Sequence, residues 1–222
     1  MARQLTFDLP VRESRARGDF FVSEANALAV ARLDDPSTWP NAKLVLVGPE
    51  GAGKTHLAHV WAEQSDGEVL TPDDLADLDI PGITQPVALD RADDIIARQE
   101  ESVFHLHNHL GASGLPFLLI AETPPARWSL GLPDLKSRMS ATDSVRINGP
   151  DDALLAAVLV KQFADRQLAV APSVIDWLVL HMDRSFAEAR RLVDLLDKAA
   201  LAEGRAITRP LAQRIIAKDE PQ

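Results

Sequence analysis

The segment GPEGAGKT at residues 48–55 carries the residue pattern best suited to chemistry in this chain. It fits G-x-x-x-x-G-K-[ST] in full, and it lies between a run of apolar residues and a helical pattern. Gly51 and Gly53 let the backbone curl so that N–H groups point at phosphate oxygens, and a helix N-terminus adds partial positive charge. The pattern predicts a nucleotide-phosphate site, and the alternative is a glycine-rich turn without a ligand.

Lys54 and Thr55 complete the predicted phosphate site. Lys54 is expected to reach the β- and γ-phosphates, and the Thr55 hydroxyl to hold Mg²⁺. A magnesium site also needs an acid at the end of a neighbouring strand, and the run PVALD ends in Asp90. Asp90 could instead cap the following turn. The predicted cofactors are therefore ADP or ATP with Mg²⁺. The predicted nucleotide ligands are Gly48, Gly51, Ala52, Gly53, Lys54 and Thr55. The predicted metal ligands are Thr55 and Asp90.

Composition excludes several other kinds of site. The 222 residues include no cysteine, so disulfides, thiolate metal sites and cysteine nucleophiles are excluded. No apolar run reaches the ~18 residues that a membrane span needs, and the N-terminus lacks the apolar core of a secretory signal. The formal net charge of −10 disfavours autonomous binding to DNA. We expect a cytoplasmic protein that contacts no membrane and reaches DNA only indirectly.

The apolar pattern predicts strands that alternate with helices in the first two thirds of the chain and helices alone afterwards. Such alternation implies βαβ units and a parallel sheet. The predicted helices include one long helix over residues 93–114, a first helix capped by Ser23, and a helix with a capping box of Ser185 and Glu188. The predicted strands are AKLVLVG, EVLTP, QPVALD, LPFLLIAET and DSVRI. The predicted domains are a tail at 1–17, an α/β domain at 18–147 and a helical lid at 148–222.

Three segments together resemble the ATPase domain of the replication initiator DnaA: GPEGAGKTHL, VALDRAD and LPDLKSRM. The chain is most similar to the shorter DnaA homologues of the Hda family, from about Asp19 to the C-terminus. The resemblance implies an AAA+ P-loop NTPase, with a five-stranded parallel sheet flanked by helices and followed by a small all-helical lid. The chain ends at Gln222, without the DNA-binding domain of DnaA, so we do not expect an initiator that grips origin DNA.

Arg138 takes its predicted role from this resemblance. In the family, the matching arginine acts in trans on the ATP of an adjacent protomer. An arginine finger of this kind stabilises the charge on the transferred γ-phosphoryl group and raises the rate about 10³–10⁵-fold. The alternative is an ordinary surface arginine near a helix end.

The resemblance also implies further nucleotide contacts. Phe21 and Val22, with Phe20 and Asn26, match the segment that wraps the adenine, and His56 matches the family's GKTHL. Glu122 and Thr123 lie at the position of a γ-phosphate sensor, but they depart from the family's usual Asp-Arg pair. Ala187 falls where relatives carry a lid arginine, so we predict Arg190 as the substitute, with Arg184 and Arg191 as alternatives.

Arg91 follows the predicted metal ligand directly. AAA+ ATPases usually carry an acid there that orients the attacking water, and a cation cannot act as that base. Asp93 and Asp94 lie nearby in the sequence. We expect intact nucleotide binding and slow intrinsic hydrolysis.

The N-terminal run QLTFDL resembles the short motif by which polymerases and Hda proteins dock on the DNA sliding clamp. Gln4 is expected to make polar contacts, and Leu5, Phe7 and Leu9 to fill apolar subsites. Each fully buried side chain of this size contributes about 1.5–3 kcal/mol, from which chain ordering subtracts. The alternative is an edge strand that packs on the protein's own sheet.

Together these features predict a nucleotide-binding regulator of replication initiation. It is expected to dock on the sliding clamp of DNA polymerase III and to stimulate hydrolysis of DnaA-bound ATP through Arg138. A homodimer is included among its expected assemblies. The alternatives are a self-contained P-loop ATPase or small-molecule kinase, and a DnaA-like recruitment factor that does not stimulate hydrolysis. His105 and His109 have the i, i+4 spacing of metal ligands, but no third ligand is evident, so a solvated helix face is favoured.

Overall fold

The structure is a computed structural model that describes residues 21–96 and 98–219, without the side chains of residues 218 and 219. The predicted docking residues Gln4, Leu5, Phe7 and Leu9 lie outside the described residues, as does Phe20.

The sheet has five parallel strands in the order β2-β3-β4-β1-β5. All five residues of β1 and of β4 are buried, which explains why their sequences are continuous apolar runs and not alternating ones. The predicted five-stranded parallel sheet is confirmed. The strands are β1 (Lys43–Val47), β2 (Glu68–Leu70), β3 (Val87–Leu89), β4 (Phe117–Ala121) and β5 (Ser144–Arg146).

Helices cover both faces of the sheet, and each face has its own apolar core. On one face Leu106 and Leu110 pack with Phe117, and on the other Trp39 stacks on Trp61 with ring centroids 5.5 Å apart. The helices are α1 (Ala27–Asp34), α2 (Lys54–Gln64), α3 (Ala92–Ile96), α4 (Glu100–Ser113), α5 (Pro133–Ala141), α6 (Asp152–Asp165), α7 (Pro172–His181), α8 (Phe186–Glu203) and α9 (Arg209–Asp219).

Two helix predictions are wrong in their bounds. The long helix over 93–114 is two helices, because the N–H groups of Arg98 and Gln99 both donate to the carbonyl of Ile95 and close the first one. The first helix begins at Ala27 and not after Ser23, because the Ser23 hydroxyl accepts from the N–H of Ala25 in a preceding turn. Propensity alone does not distinguish such turns from a continuing helix.

Helices α6 to α9 pack around a third core, which forms the lid. Ser185 caps α8 by accepting from the N–H of Glu188 at 3.0 Å, which is one half of the predicted capping box. The other half is absent, because the Glu188 carboxylate accepts from Arg191 and the Ser185 N–H donates to the carbonyl of Asp183. Gly204 ends the helix with a φ of 62°. Trp177 of α7 stacks on His181 at 4.2 Å, and the Arg209 guanidinium of α9 lies 5.8 Å from the Trp177 ring centre. Among the described helices, none is both long and apolar enough to cross a bilayer.

Candidate functional site

A cavity of about 630 Å³ lies between the carboxyl edge of the sheet and the lid. Its floor is the loop 50–55, its far side is formed by the ends of β3 and β4, and its lid side by α6 and α8. Parallel α/β sheets bind ligands in the crevice beyond the carboxyl ends of their strands. The cavity has a volume typical of a site for a small-molecule ligand.

The floor of the cavity depends on glycine at two positions. Gly51 and Gly53 have φ values of 77° and 81°, in the left-handed region that other residues rarely adopt. A β-carbon on Gly51 would also lie 2.8 Å from Cβ of Phe186, at the start of α8. The lid therefore rests directly on the backbone of the phosphate-binding loop.

Lys54, Thr55 and Asp90 meet at this floor. The Thr55 hydroxyl donates to Oδ2 of Asp90 at 2.9 Å, and the Lys54 ammonium donates to the carbonyl of Pro49 at 2.8 Å. Burial lowers the pKa of Lys54, while the carboxylates of Glu122 and then Asp90 oppose that effect. The structure thus brings the predicted phosphate-binding and metal-binding side chains together.

The donor set fits Mg²⁺ bound together with a nucleotide. A hydroxyl and a carboxylate lie within hydrogen-bond distance of each other at Thr55 and Asp90. In the part of the chain that the structure describes, no group of three or more acidic or histidine side chains could hold a metal alone. This matches the usual chemistry of Mg²⁺, which takes one or two protein ligands, phosphate oxygens and water.

In the segment after Asp90, the carboxylate of Asp93 is held by hydrogen bonds within the chain. Arg91 is exposed with a φ of 51°, and its N–H donates to Oδ1 of Asp90. Oδ2 of Asp93 accepts from the N–H groups of Glu122 and Thr123 and from the Thr123 hydroxyl, at 3.0–3.2 Å. Asp93 therefore fixes the end of β4 while it also lines the cavity.

The lid contributes one face of α6, which sequence analysis missed. Leu154, Ala157, Val158 and Lys161 follow the i, i+3, i+4, i+7 spacing of a helix face and line the cavity. That spacing was visible in the sequence, but it does not distinguish a face that packs on core from one that lines a cavity.

Of the lid arginines Arg184, Arg190 and Arg191, only Arg190 lines the cavity. Its guanidinium is 3.9 Å from Oε1 of Glu50 and lies close to Gly51. Arg184 instead pairs with Asp152 at 2.8 Å, and Arg191 pairs with Glu188 at 2.7 Å. A nucleotide contact by Arg190 stays a prediction.

The other predicted nucleotide contacts divide into two groups. Phe21, Ala52 and His56 line the cavity, and Phe21 is about half exposed. Val22 lies instead in a small separate groove beside Trp61. Gly48 packs against Ile147, behind the cavity wall. The pattern of a motif shows which residues belong to the loop, but not which of them reach the ligand.

Arg138 does not line the cavity. It lies on α5, where its guanidinium carbon is 5.4 Å from the centre of the Phe104 ring. Burial lowers the pKa of Lys43, and the charge of Arg138 lowers it further. Lys43 begins β1, whose five residues span about 16 Å and end at the phosphate loop. Arg138 therefore lies at the amino edge of the sheet, opposite the cavity of its own chain.

The two histidines of the predicted solvated face differ in exposure. His105 is exposed, as predicted, whereas His109 is half-buried and contacts the carbonyl of Ile83 at 2.8 Å. His107, which lies between them in the sequence, is buried on the side of the helix that packs on the sheet. Burial lowers the pKa of His107 to about 4, with smaller effects of Lys43 and Arg138.

Comparisons with known proteins agree with this geometry. Residues 151–216 match the family model described as "Hda, lid domain". A protein of Haemophilus influenzae, described as uncharacterized, is 28% identical over 185 residues, which cover 76% of this chain and 79% of the relative.

Two solved structures share the fold. Domain III of the replication initiation protein DnaA from Thermotoga maritima is similar with a TM-score of 0.76 at 17% identity, over 96% of this chain and all of that domain. DnaA from Aquifex aeolicus bound to AMPPCP is similar with a TM-score of 0.62 at 20% identity, over 80% of this chain and 63% of that one.

The fold and the cavity define a nucleotide-binding P-loop protein of the AAA+ class. Within that class, residues 151–216 match the Hda lid family, and the fold as a whole is similar to that of DnaA domain III.

Proposed function

We propose that this protein docks on the DNA sliding clamp and stimulates hydrolysis of the ATP bound to DnaA, which inactivates the initiator. Arg138 acts as the finger in trans. The observation that carries the proposal is its position at the amino edge of the sheet, over Phe104 and away from the chain's own cavity. A guanidinium placed there can serve only a nucleotide that another molecule brings to it.

The chain's own cavity holds ADP or ATP with Mg²⁺ in this proposal. Lys54 and the loop N–H groups bind the phosphates, and Thr55 and Asp90 hold the metal. Arg91 cannot act as the base that activates water, so the bound nucleotide is turned over slowly. Mg²⁺ bound there would supply neutralisation of the phosphate charge, and the protein side chains orient the nucleotide and position the lid.

Docking on the clamp is assigned to Gln4, Leu5, Phe7 and Leu9. The supporting observation is their pattern in the sequence, ahead of an Arg-rich stretch. Attachment at a second point on DnaA raises the effective concentration of the finger at its target.

The central experiment compares Arg138→Ala with Lys136→Ala, a matched removal of an exposed cation from the same helix. Hydrolysis of DnaA-bound ATP is measured with clamp and DNA present. We expect Arg138→Ala to reduce the stimulation at least about 10³-fold, and Lys136→Ala to leave it within about two-fold. If Arg138→Ala stimulates as well as wild type, Arg138 is not a finger and a recruitment role without stimulation is favoured.

Two further measurements test the remaining parts. A clamp pull-down with residues 1–10 deleted should lose the complex, and retention of the complex would assign docking to another surface.

The rate of ATP hydrolysis by the protein alone is the second measurement. A fast ATPase rate without clamp or DnaA would favour a self-contained ATPase. Homodimer formation is a further part of the proposal, and sedimentation of a monomer at every concentration would exclude it.

A further inference from the structure

The guanidinium of Arg138 has an unusual environment. Among the residues that the structure describes, it forms no salt bridge within 4.0 Å and no side-chain hydrogen bond, although Asp134 lies one turn earlier on α5. Its guanidinium carbon lies 5.4 Å from the centre of the Phe104 ring. Among the described residues, the five N–H donors of the arginine therefore have no acceptor.

Phe104 belongs to a face of α4 that is arranged around this arginine. Residues 104, 107 and 111 recur at i, i+3 and i+7, so they share one side of the helix. Gly111 leaves room for Lys43, whose ammonium lies 2.8 Å from the place where a β-carbon on Gly111 would be. Phe104, half-buried at the other end of this face, supports the arginine.

The charged groups near Arg138 do not pair with it. Lys43 is also a cation, and His107 is neutral at pH 7 because burial lowers its pKa to about 4. Glu100, one turn before Phe104 on α4, has its carboxylate engaged elsewhere, since it accepts from the N–H groups of Gly131 and Leu132. An aromatic ring instead attracts the cation without occupying its hydrogen-bond donors.

We infer that Phe104 is a positioning residue for Arg138: its ring holds the guanidinium over α4 so that the N–H groups reach an anionic phosphate of a second molecule. This inference rests on the proposed function of Arg138 in trans. The ring restricts the long side chain before the two molecules meet, so less conformational freedom is lost in the complex. Phe104 acts only through Arg138 and does not touch the nucleotide.

The test uses Phe104→Leu, which keeps an apolar side chain but removes the ring, and Phe104→Trp, which keeps an aromatic face. We expect Phe104→Leu to lower the maximal rate of stimulated ATP hydrolysis about five-fold, the effect of losing an exposed cation–π contact. The Trp variant should restore the wild-type rate. The concentration of protein that gives half-maximal stimulation should stay unchanged in both.

The double variant Phe104→Leu with Arg138→Ala separates this inference from the proposed function. If Phe104 acts through the arginine, the double variant equals Arg138→Ala alone. If Arg138→Ala abolishes stimulation while Phe104→Leu equals wild type, the positioning role is wrong and the finger stands. If Arg138→Ala has no effect, the finger fails and the positioning role fails with it.

A merely structural role of Phe104 gives a different pattern. Loss of folded protein raises the half-maximal concentration and leaves the maximal rate intact, and it shows directly in urea unfolding. Phe104→Leu with lowered stability, a raised half-maximal concentration and no rescue by Trp would overturn the inference.

Discussion

The two edges of the sheet hold their functional side chains in opposite ways. At the carboxyl edge, Thr55 donates to Asp90 and Lys54 donates to Pro49, so the groups that meet the nucleotide are already paired within the chain. At the amino edge, Arg138 has an aromatic ring beneath it and, among the described residues, no salt bridge to an acid. The first arrangement suits a resident ligand, and the second suits an anion carried by another molecule.

The charged side chains also differ between the two edges of the sheet. Carboxylates of Asp90, Asp93 and Glu122 line the cavity around Lys54, and the metal is expected to balance them against the phosphates. Lys43 and Arg138 lie near each other at the opposite edge and lower the pKa of His107 there. A single sheet thus separates the proposed nucleotide site at one edge from the proposed arginine finger at the other.

The strongest test of this division is to remove one cation from each edge. Lys54→Ala should weaken binding of ADP at least about 100-fold, because it removes a charge-assisted contact with the phosphates. Arg138→Ala should leave ADP binding within about two-fold, because Arg138 lies outside the cavity. Titration with a fluorescent ADP analogue measures both, and equal weakening would contradict the separation of the two edges.

The contact between loop and lid provides the next test. Gly51→Ala should lower the free energy of unfolding by about 2–4 kcal/mol, since it combines a strained positive φ with a β-carbon 2.8 Å from Phe186. Gly114→Ala is the matched control, because Gly114 has a φ of 67° and nothing within 4 Å of its would-be β-carbon.

We expect Gly114→Ala to lose only about 1 kcal/mol, from backbone strain alone. Urea unfolding measures both variants. Equal losses would show that Phe186 moves aside freely and that the lid does not rest on the loop.

The amino edge should show a pH dependence of its own. The pKa of His107 is lowered to about 4 by burial, so between that value and 6.5 the unfolded chain binds a proton that the folded chain does not. Stability is therefore complete well above pH 6.5 and falls as the pH drops towards 4, by about 3 kcal/mol.

His107→Leu removes the titrating group, so the stability of the variant should not fall between pH 6.5 and pH 4 on this account. The difference in unfolding free energy between wild type and variant should therefore change across that pH range by the amount that wild type loses. Urea unfolding at several pH values measures it. A constant difference would mean that His107 titrates normally.

The smallest expected effect concerns Lys43. Lys43→Met removes a buried cation and should leave stability unchanged or raise it by about 1 kcal/mol, because an ammonium without a paired acid is costly to bury. Among the described residues no acid pairs with Lys43, and its charge lowers the pKa of His107, so the same change should raise that pKa. NMR titration of the His107 ring measures this, and an unchanged pKa would place Lys43 too far away to matter.

The fold was predictable from sequence because its signals are local. The run KLVLV, the motif GPEGAGKT and the capping pair of Ser185 and Glu188 each depend on a few neighbouring residues. The break between α3 and α4 was not predictable, because it depends on long-range bonds such as that from the Gln99 side chain to the carbonyl of Pro72.

The site was predictable only in part, for a related reason. Lys54, Thr55 and Asp90 come together because a motif and a strand end fix their places. The α6 face, the Asp93 bonds to β4 and the Phe104 ring under Arg138 all join segments that are distant in the chain. No periodicity within one segment contains that information.

The stacked pair of Trp177 and His181 has a practical consequence for spectroscopy. The chain has four tryptophans, and Trp177 alone belongs to the lid core, whereas Trp39, Trp61 and Trp128 belong to the two cores of the sheet. Replacing those three with phenylalanine would leave a single indole that lies between His181 and Arg209 of α9. The fluorescence of that indole would then report on the docking of α9 by itself, as an optical signal that separates movements of the lid from events in the sheet.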